Sequence, residues 1–236
     1  EKSLVNKQVD TAPLPPITAG RLNLRGNDLR GMRPFHKIHE SAIVAADGPS
    51  DLEGLQGLKL GSLSRASGLY TVFSLLVRMN DYSLDQYDIR TASPSALYGL
   101  MLKNDLEATL HFDPFAARLL VREEFKELFY YSDMWEEMTG NPIPVAEVGV
   151  WQETVDAKPG ALKALNQALS DAGAHIQNNP DQVFSNYQDA LGAENDEELA
   201  RIQERMKGIY PSEFPTSMRG GSRQLIEKAS EFGEYS

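Results

Sequence analysis

The residues most able to do chemistry lie in Gly57–Leu76, GLKLGSLSRASGLYTVFSLL, where a short apolar run gives way to small polar residues and then to a helix-like apolar run. A loop after a parallel strand sits where open α/β sheets bind ligands. The first amides of a helix lack internal partners and carry the positive end of its dipole. Ser64, Ala66 and Ser67 would therefore present backbone and hydroxyl donors to a carboxylate, sulfonate, phosphate or similar oxyanion. The spacing is not that of a Walker A loop. The plainer role for Ser64 is to cap the helix.

A second candidate is HFDPFAARLL, with Asp113 as N-cap and Pro114 at the first helical position. Phe112 and Phe115 could wall a ligand while Asp113 meets a donor on it; capping plus core aromatics is the plainer reading. Ser93, ahead of Pro94, marks another helix start able to face the same cleft, and in TAPLPPITAGRL the stiff Leu14, Pro15 and Pro16 offer an apolar wall. His36 and His39 stand three apart beside Glu40, but Pro34 and the β-rich run around them argue against a helical metal site. Trp135 and Trp151 read as core, and Glu136–Glu137 as a solvated helix face. No Ser/His/Asp order and no Gly-x-Ser-x-Gly elbow occurs, so nothing requires catalysis, a metal or a cofactor.

Alternating strands and helices must position these residues, in the pattern of a parallel α/β sheet. Strands are expected at 8–14, 40–46, 58–62, 87–92, 106–112, 127–132 and 146–151, and helices at 66–80, 94–104 and 114–122. From residue 158 onward the period is helical, in four segments. Residues 4–22 echo 101–120 at a shift of 97, aligning Asp10 with Glu107, Arg21 with Arg118 and Leu22 with Leu119. Such an echo suggests two similar lobes.

The 236 residues suffice for one large domain or two lobes, with 41% hydrophobic and 24% charged residues. The net charge of −11 disfavours nucleic acid and anionic lipid as partners, though not a small anion in a local cleft. Absence of cysteine removes disulfides, thiolate nucleophiles and Cys-based metal sites, and fits an oxidising compartment. No apolar run approaches the length of a membrane span, and no signal segment opens the chain. The opening EKSLVNKQVD reads as the end of a helix, so the expectation is a start after a processed or truncated segment.

Together LVNKQVDTAPLPP, GPSDLEGLQGLKLGS, TASPSALYGLMLKNDLEATLHFDPFAARLL and MWEEMTGNPIPVAEVGVW resemble the solute-binding proteins of ABC importers of the nitrate/sulfonate/taurine type, whose relatives also bind thiamine-pyrimidine precursors. The resemblance spans nearly the whole chain. It implies a two-lobed, type II periplasmic-binding-protein-like α/β fold with a helical C-terminal region. Lobe one would be 1–45 plus 147–236 and lobe two 46–146, with strands 40–46 and 146–151 as the hinge and the helical tail packed on lobe one. It further implies a monomeric protein of the periplasm or cell exterior, free or lipid-anchored. That protein would close around a small solute and deliver it to a permease and an ATPase. Ser64, Ala66, Ser67, Ser93, Phe112 and Asp113 would face the solute from lobe two, and Leu14, Pro15 and Pro16 from lobe one. On this resemblance the expectation is that the family's usual opening β-α-β unit is not among these residues, nor whatever contacts its first loop makes. The alternatives are an enzyme on the same fold, of menaquinone-pathway or thiamine-pyrimidine type, and a sensory ligand-binding domain. The thiamine-pyrimidine synthases carry a cysteine-rich iron motif that this chain lacks.

Overall fold

The computed structural model describes residues 2–234. In chain order its elements are α1 (Lys2–Val5), β1 (Thr11–Leu14), α2 (Pro16–Leu24), β2 (Leu29–Lys37), β3 (Glu40–Ala45), β4 (Lys59–Ser62), α3 (Gly68–Met79), β5 (Asp88–Thr91), α4 (Pro94–Leu102), β6 (Ala108–Phe112) and α5 (Phe115–Leu120). There follow β7 (Phe125–Tyr130), α6 (Tyr131–Thr139), β8 (Pro144–Trp151), α7 (Gln152–Ala157), α8 (Pro159–Asn178), α9 (Pro180–Asn186), α10 (Gln188–Leu191), α11 (Asp196–Met206) and α12 (Ser217–Glu231). The chain forms two compact units. The first holds 1–38, 141–180 and 207–236, and the second 39–140 and 181–206.

The first unit carries a three-stranded sheet ordered β1-β8-β2, antiparallel throughout. This departs from the expected parallel pattern, and the reason is non-local. β8 returns from more than a hundred residues downstream and pairs with both earlier strands, so neighbours in sequence are not neighbours in the sheet. Leu4, Leu14, Leu29 and Trp151 form the core here, and the Trp151 indole N–H donates to the Leu4 carbonyl at 2.9 Å.

The second unit's sheet is ordered β5-β4-β6-β3-β7. β4 runs parallel to both β5 and β6, while β3 is antiparallel to β6 and β7. One edge of this sheet therefore gathers the carboxyl ends of β5, β4, β6 and β7 and the amino end of β3. α3 is apolar on nearly all sides, and Leu69 to Val77 are all buried, as a helix covered on every face must be. Gly61 is closely approached: an added Cβ would lie 2.5 Å from Leu106 Cδ1 and 2.8 Å from Leu97 Cδ2, so those buried side chains would have to shift.

The echo at a shift of 97 has a structural counterpart, since it lays β1 on β6 and α2 on α5. Each of these helices is covered by a different C-terminal helix, α2 by α12 and α5 by α11. Arg21 donates to the Glu234 carbonyl at 3.2 Å, and its counterpart Arg118 pairs with Glu198 at 3.3 Å and Glu194 at 3.0 Å. The expectation that the whole helical tail packs on lobe one therefore differs from the structure: 181–206 belongs to the second unit. The physical cause is the inner face of α11, where Glu198, Ile202 and Met206 are buried. The expected boundaries also shift, because the chain passes between units at 38/39, 140/141, 180/181 and 206/207. Strands 40–45 and 144–151 each lie inside one sheet.

Candidate ligand site at the strand ends of the second unit

Three adjacent parallel strands, β5, β4 and β6, end on one edge, and each leads into the start of a helix. After β4, Leu63 to Ser67 turn into α3. Ser67 is the N-cap: its Oγ accepts from the Tyr70 amide at 3.2 Å, and its carbonyl accepts from the Thr71 amide at 3.1 Å. Ser64 is not the cap; it supplies only the carbonyl that the Ser67 amide meets at 2.9 Å, closing the turn. Ser64, Arg65 and Ala66 are exposed. Arg65 folds over the Tyr70 ring, 5.5 Å from its centroid. The amides of Gly68 and Leu69, the first of the helix, make no hydrogen bond among the described residues. Below them the Ser62 hydroxyl, at the last position of β4, is fully buried without a partner among the described residues.

After β5, Ser93 caps α4 through the Ala96 amide at 3.4 Å, with Pro94 at the first helical position as the sequence predicts. After β6 comes the Asp113–Pro114 turn. His111 ties two of these strand ends together: its Nε2 lies 3.0 Å from the Pro94 carbonyl, and its Nδ1 accepts the Phe112 amide at 2.9 Å. That pairing makes Nε2–H the donor and the ring neutral. Burial pushes its pKa down to about 4, against those two backbone contacts. The ring stacks on Phe115 with centroids 4.8 Å apart.

Asp113 is placed differently from the expectation that it meets a ligand. It is 2% exposed. Its Oδ1 accepts from the Ala117 amide at 3.0 Å and from Arg205 Nε at 2.9 Å, and Oδ2 lies 3.1 Å from the same Nε. Arg205, on α11, also donates from Nη2 to Glu127 Oε1 and to Ser41 Oγ, both at 2.9 Å, and Ser41 donates to Glu127 at 2.6 Å. Burial raises the Asp113 carboxyl above its ordinary value, opposed by Arg205 and the Ala117 amide. Burial works to lower Arg205, yet Asp113 and Glu127 outweigh it and hold the guanidinium above its ordinary value. These two directions pull against each other for one ion pair. The close contact of Nε with both carboxylate oxygens decides between them: the pair is ionised at neutral pH.

Next to this pair is Glu40, 5% exposed at the amino end of β3 and registered opposite Phe112. Burial lifts its carboxyl to about 7, partly offset by the backbone amides of His39 and Glu40 and added to by the Asp113 charge. The strand edge thus has two characters: open helix amides at α3 and a buried acid-rich base around Arg205.

Of the nine expected site residues, Ser64, Ala66, Ser67, Ser93, Phe112 and Asp113 come from this edge. Phe112 is half-buried, its ring edge-on to Phe115 at 5.8 Å. Leu14, Pro15 and Pro16 belong to the first unit. Leu14 is 1% exposed and packs with Leu4, Leu29 and Trp151, so it is a core residue rather than a wall, because β1 turns that side chain inward. Pro16 is buried and Pro15 half-buried. His36 lies in β2 of the first unit and His39 in the second. Sequence reasoning missed Arg205, Glu127, Ser41 and Glu40. In the sequence Asp113 reads as a helix cap or a ligand contact, so nothing there called for a cation from α11.

Comparison with solved structures places the architecture. The periplasmic aliphatic sulphonate-binding protein SsuA of Escherichia coli matches with a TM-score of 0.78 at 14% identity, over 99% of this chain and 78% of that one. The alkanesulfonate-binding protein SsuA of Xanthomonas axonopodis pv. citri, bound to MOPS, matches with a TM-score of 0.78 at 10% identity, over 98% and 78%. The fold is that of the periplasmic sulfonate-binding proteins. The desulfurization enzyme DszB shares it more distantly, with a TM-score of 0.59 at 15% identity over 94% of this chain and 77% of that one. No protein-family model matches the chain, and no curated protein matches it by sequence. At such identities the likeness carries the fold and leaves the ligand to the site's own chemistry.

Proposed function

We propose that this protein is an extracytoplasmic solute-binding protein that captures a small polar or anionic solute and delivers it to an ABC importer. One observation carries the reading: the convergence of three helix starts on one sheet edge, with the Gly68 and Leu69 amides of α3 open. Such amides favour an oxyanion, and a sulfonate, nitrate or the polar face of a pyrimidine is the solute class that fits. Ser64, Ala66, Ser67 and Ser93 are the donors in this reading and Phe112 an apolar flank. Asp113 acts at one remove, fixing the β6–α5 turn through Arg205. Of the first unit's expected wall, Pro15 remains part of the proposal. The permease and ATPase partners and the place outside the cytoplasm belong to the same reading and are supported by the neighbours of shared fold; a monomer, free or lipid-anchored, is proposed with them.

The test is calorimetric titration with alkanesulfonates, nitrate and pyrimidines, on the wild-type chain and on Ala66→Asp. Ala66 is exposed, so the fold tolerates the change, and the new carboxylate would repel an anion at the α3 start. A loss of about tenfold or more in affinity is expected for an oxyanion. Absence of binding by folded wild type, or equal binding by both, would overturn the proposal. The second reading, an enzyme, is favoured by the fold shared with DszB, and release of a sulfur oxyanion from a titrated sulfonate would establish it.

A further inference from the structure

The first unit carries an unbalanced cation that the solute reading does not use. Arg33, in β2, reaches between α8 and the loop before α12. Its Nη1 meets the Asn166 carbonyl at 3.0 Å and Ser170 Oγ at 2.9 Å, while Nη2 meets the Ser212 carbonyl at 3.4 Å and Nε the Pro34 carbonyl at 3.3 Å. The guanidinium lies 5.3 Å from the centroid of the Phe214 ring. Every one of these acceptors is neutral, and no carboxylate pairs with Arg33 among the described residues. Burial accordingly pushes Arg33 below the usual guanidinium value. Arg205 has the opposite setting, since two carboxylates answer its charge.

Arg33 opens onto a cavity of about 380 Å³. Arg219, in the first turn of α12, lines the same cavity and two adjoining ones, is exposed, and has no side-chain partner among the described residues. Thr216, Ser170 and the Asn166 amide add neutral hydrogen-bonding groups, and the only carboxylate on the lining is the exposed Glu213. Glu147 lies on a neighbouring cavity, where it accepts from Ser222 at 2.6 Å. In a chain of net charge −11, this cavity gathers two arginines against one carboxylate; Glu147 and Glu227 line an adjoining cavity that both arginines share. Arg33 is held by five acceptors, the Asn166 Oδ1 at 3.3 Å among them, so little ordering entropy is lost when its remaining Nη2–H meets a ligand. Arg219, exposed and without a side-chain partner among the described residues, is the second arm.

We propose that this cavity is a second anion site, separate from the solute site, that takes a phosphoryl group between Arg33 and Arg219. A tetrahedral dianion suits two guanidinium arms with hydroxyls beside them: Arg219 can give parallel N–H donors to two of its oxygens, and Arg33 the one N–H left on Nη2 to a third. The site would allow a phosphorylated metabolite or free phosphate to bind the protein independently of its solute.

The experiment is titration of the full chain with inorganic phosphate, by calorimetry and by amide chemical shifts, for wild type, Arg219→Ala and Ala66→Asp. Arg219 is exposed and unpartnered, so its removal leaves the fold intact. Phosphate should bind wild type and Ala66→Asp alike, perturb the amides of 166–170 and 212–219, and lose about tenfold or more in affinity in Arg219→Ala. Folded wild type that does not bind phosphate in the millimolar range overturns the proposal. So does binding that Ala66→Asp abolishes and Arg219→Ala leaves unchanged, since the phosphate would then sit at the strand-end site. Failure of the solute titration alone leaves this site standing, because the two variants report on separate residues.

Discussion

Glu40 and His111 sit on paired strands, with Glu40 opposite Phe112 and Ser41 opposite His111, and they make opposite demands on pH. Glu40 moves from an ordinary 4.5 to about 7 on folding, chiefly by burial. A carboxyl raised in this way contributes stability that is full below its unfolded value and is lost as pH rises through the folded one. At 1.36 kcal/mol per pKa unit the effect is about 3 kcal/mol, spread between about pH 4.5 and 7. His111 falls from 6.5 to about 4, so its contribution is full above 6.5 and is lost as pH drops through about 4. That is again about 3 kcal/mol, with the opposite slope. Between about pH 4.5 and 6.5 the two oppose each other, so this pair adds little net slope in the wild type. Glu40→Gln removes one side. It should match wild type near pH 4, where Glu40 is largely protonated in both the folded and the unfolded chain, and exceed it by about 3 kcal/mol near pH 8. Urea unfolding followed by Trp135 fluorescence reads this, in a Trp151→Phe background, because Trp135 is fully buried in the second unit and Trp151 lies in the first. A gap that is equal at both pH values, or a variant less stable at pH 8, would refute the reasoning.

Two further outcomes follow from the same unit. Arg205→Ala strands Asp113 as a buried charge and should cost about 3–5 kcal/mol in urea unfolding at neutral pH; in the Asp113→Asn background the cost should fall by at least about 1 kcal/mol, and strict additivity would contradict the ion-pair assignment. Gly61→Ala drives a methyl into Leu106 and Leu97 and should destabilise the second unit by about 1–3 kcal/mol, read by the same fluorescence; a neutral effect would mean that the close approach at β4 is absent.

Much of this protein is written locally in its chain. The strand ending at Ser62, the Ser-Pro start of α4, the buried apolar run of α3 and the echo linking α2 with α5 all rest on capping, periodicity and proline geometry within a few residues, and the sequence alone suffices for them. Three things were decided only in three dimensions. Ser67 rather than Ser64 became the cap, because α3 starts at Gly68: the Ser67 carbonyl takes the first helical bond, from Thr71, and its Oγ meets the Tyr70 amide. The first sheet became antiparallel, because β8 inserts between β1 and β2 from far along the chain. Asp113 became a buried anchor instead of a ligand contact, because Arg205 reaches it across 92 residues. An arginine in an amphipathic helix has the same sequence signature whether it faces water or a buried carboxylate, and only packing chooses between them.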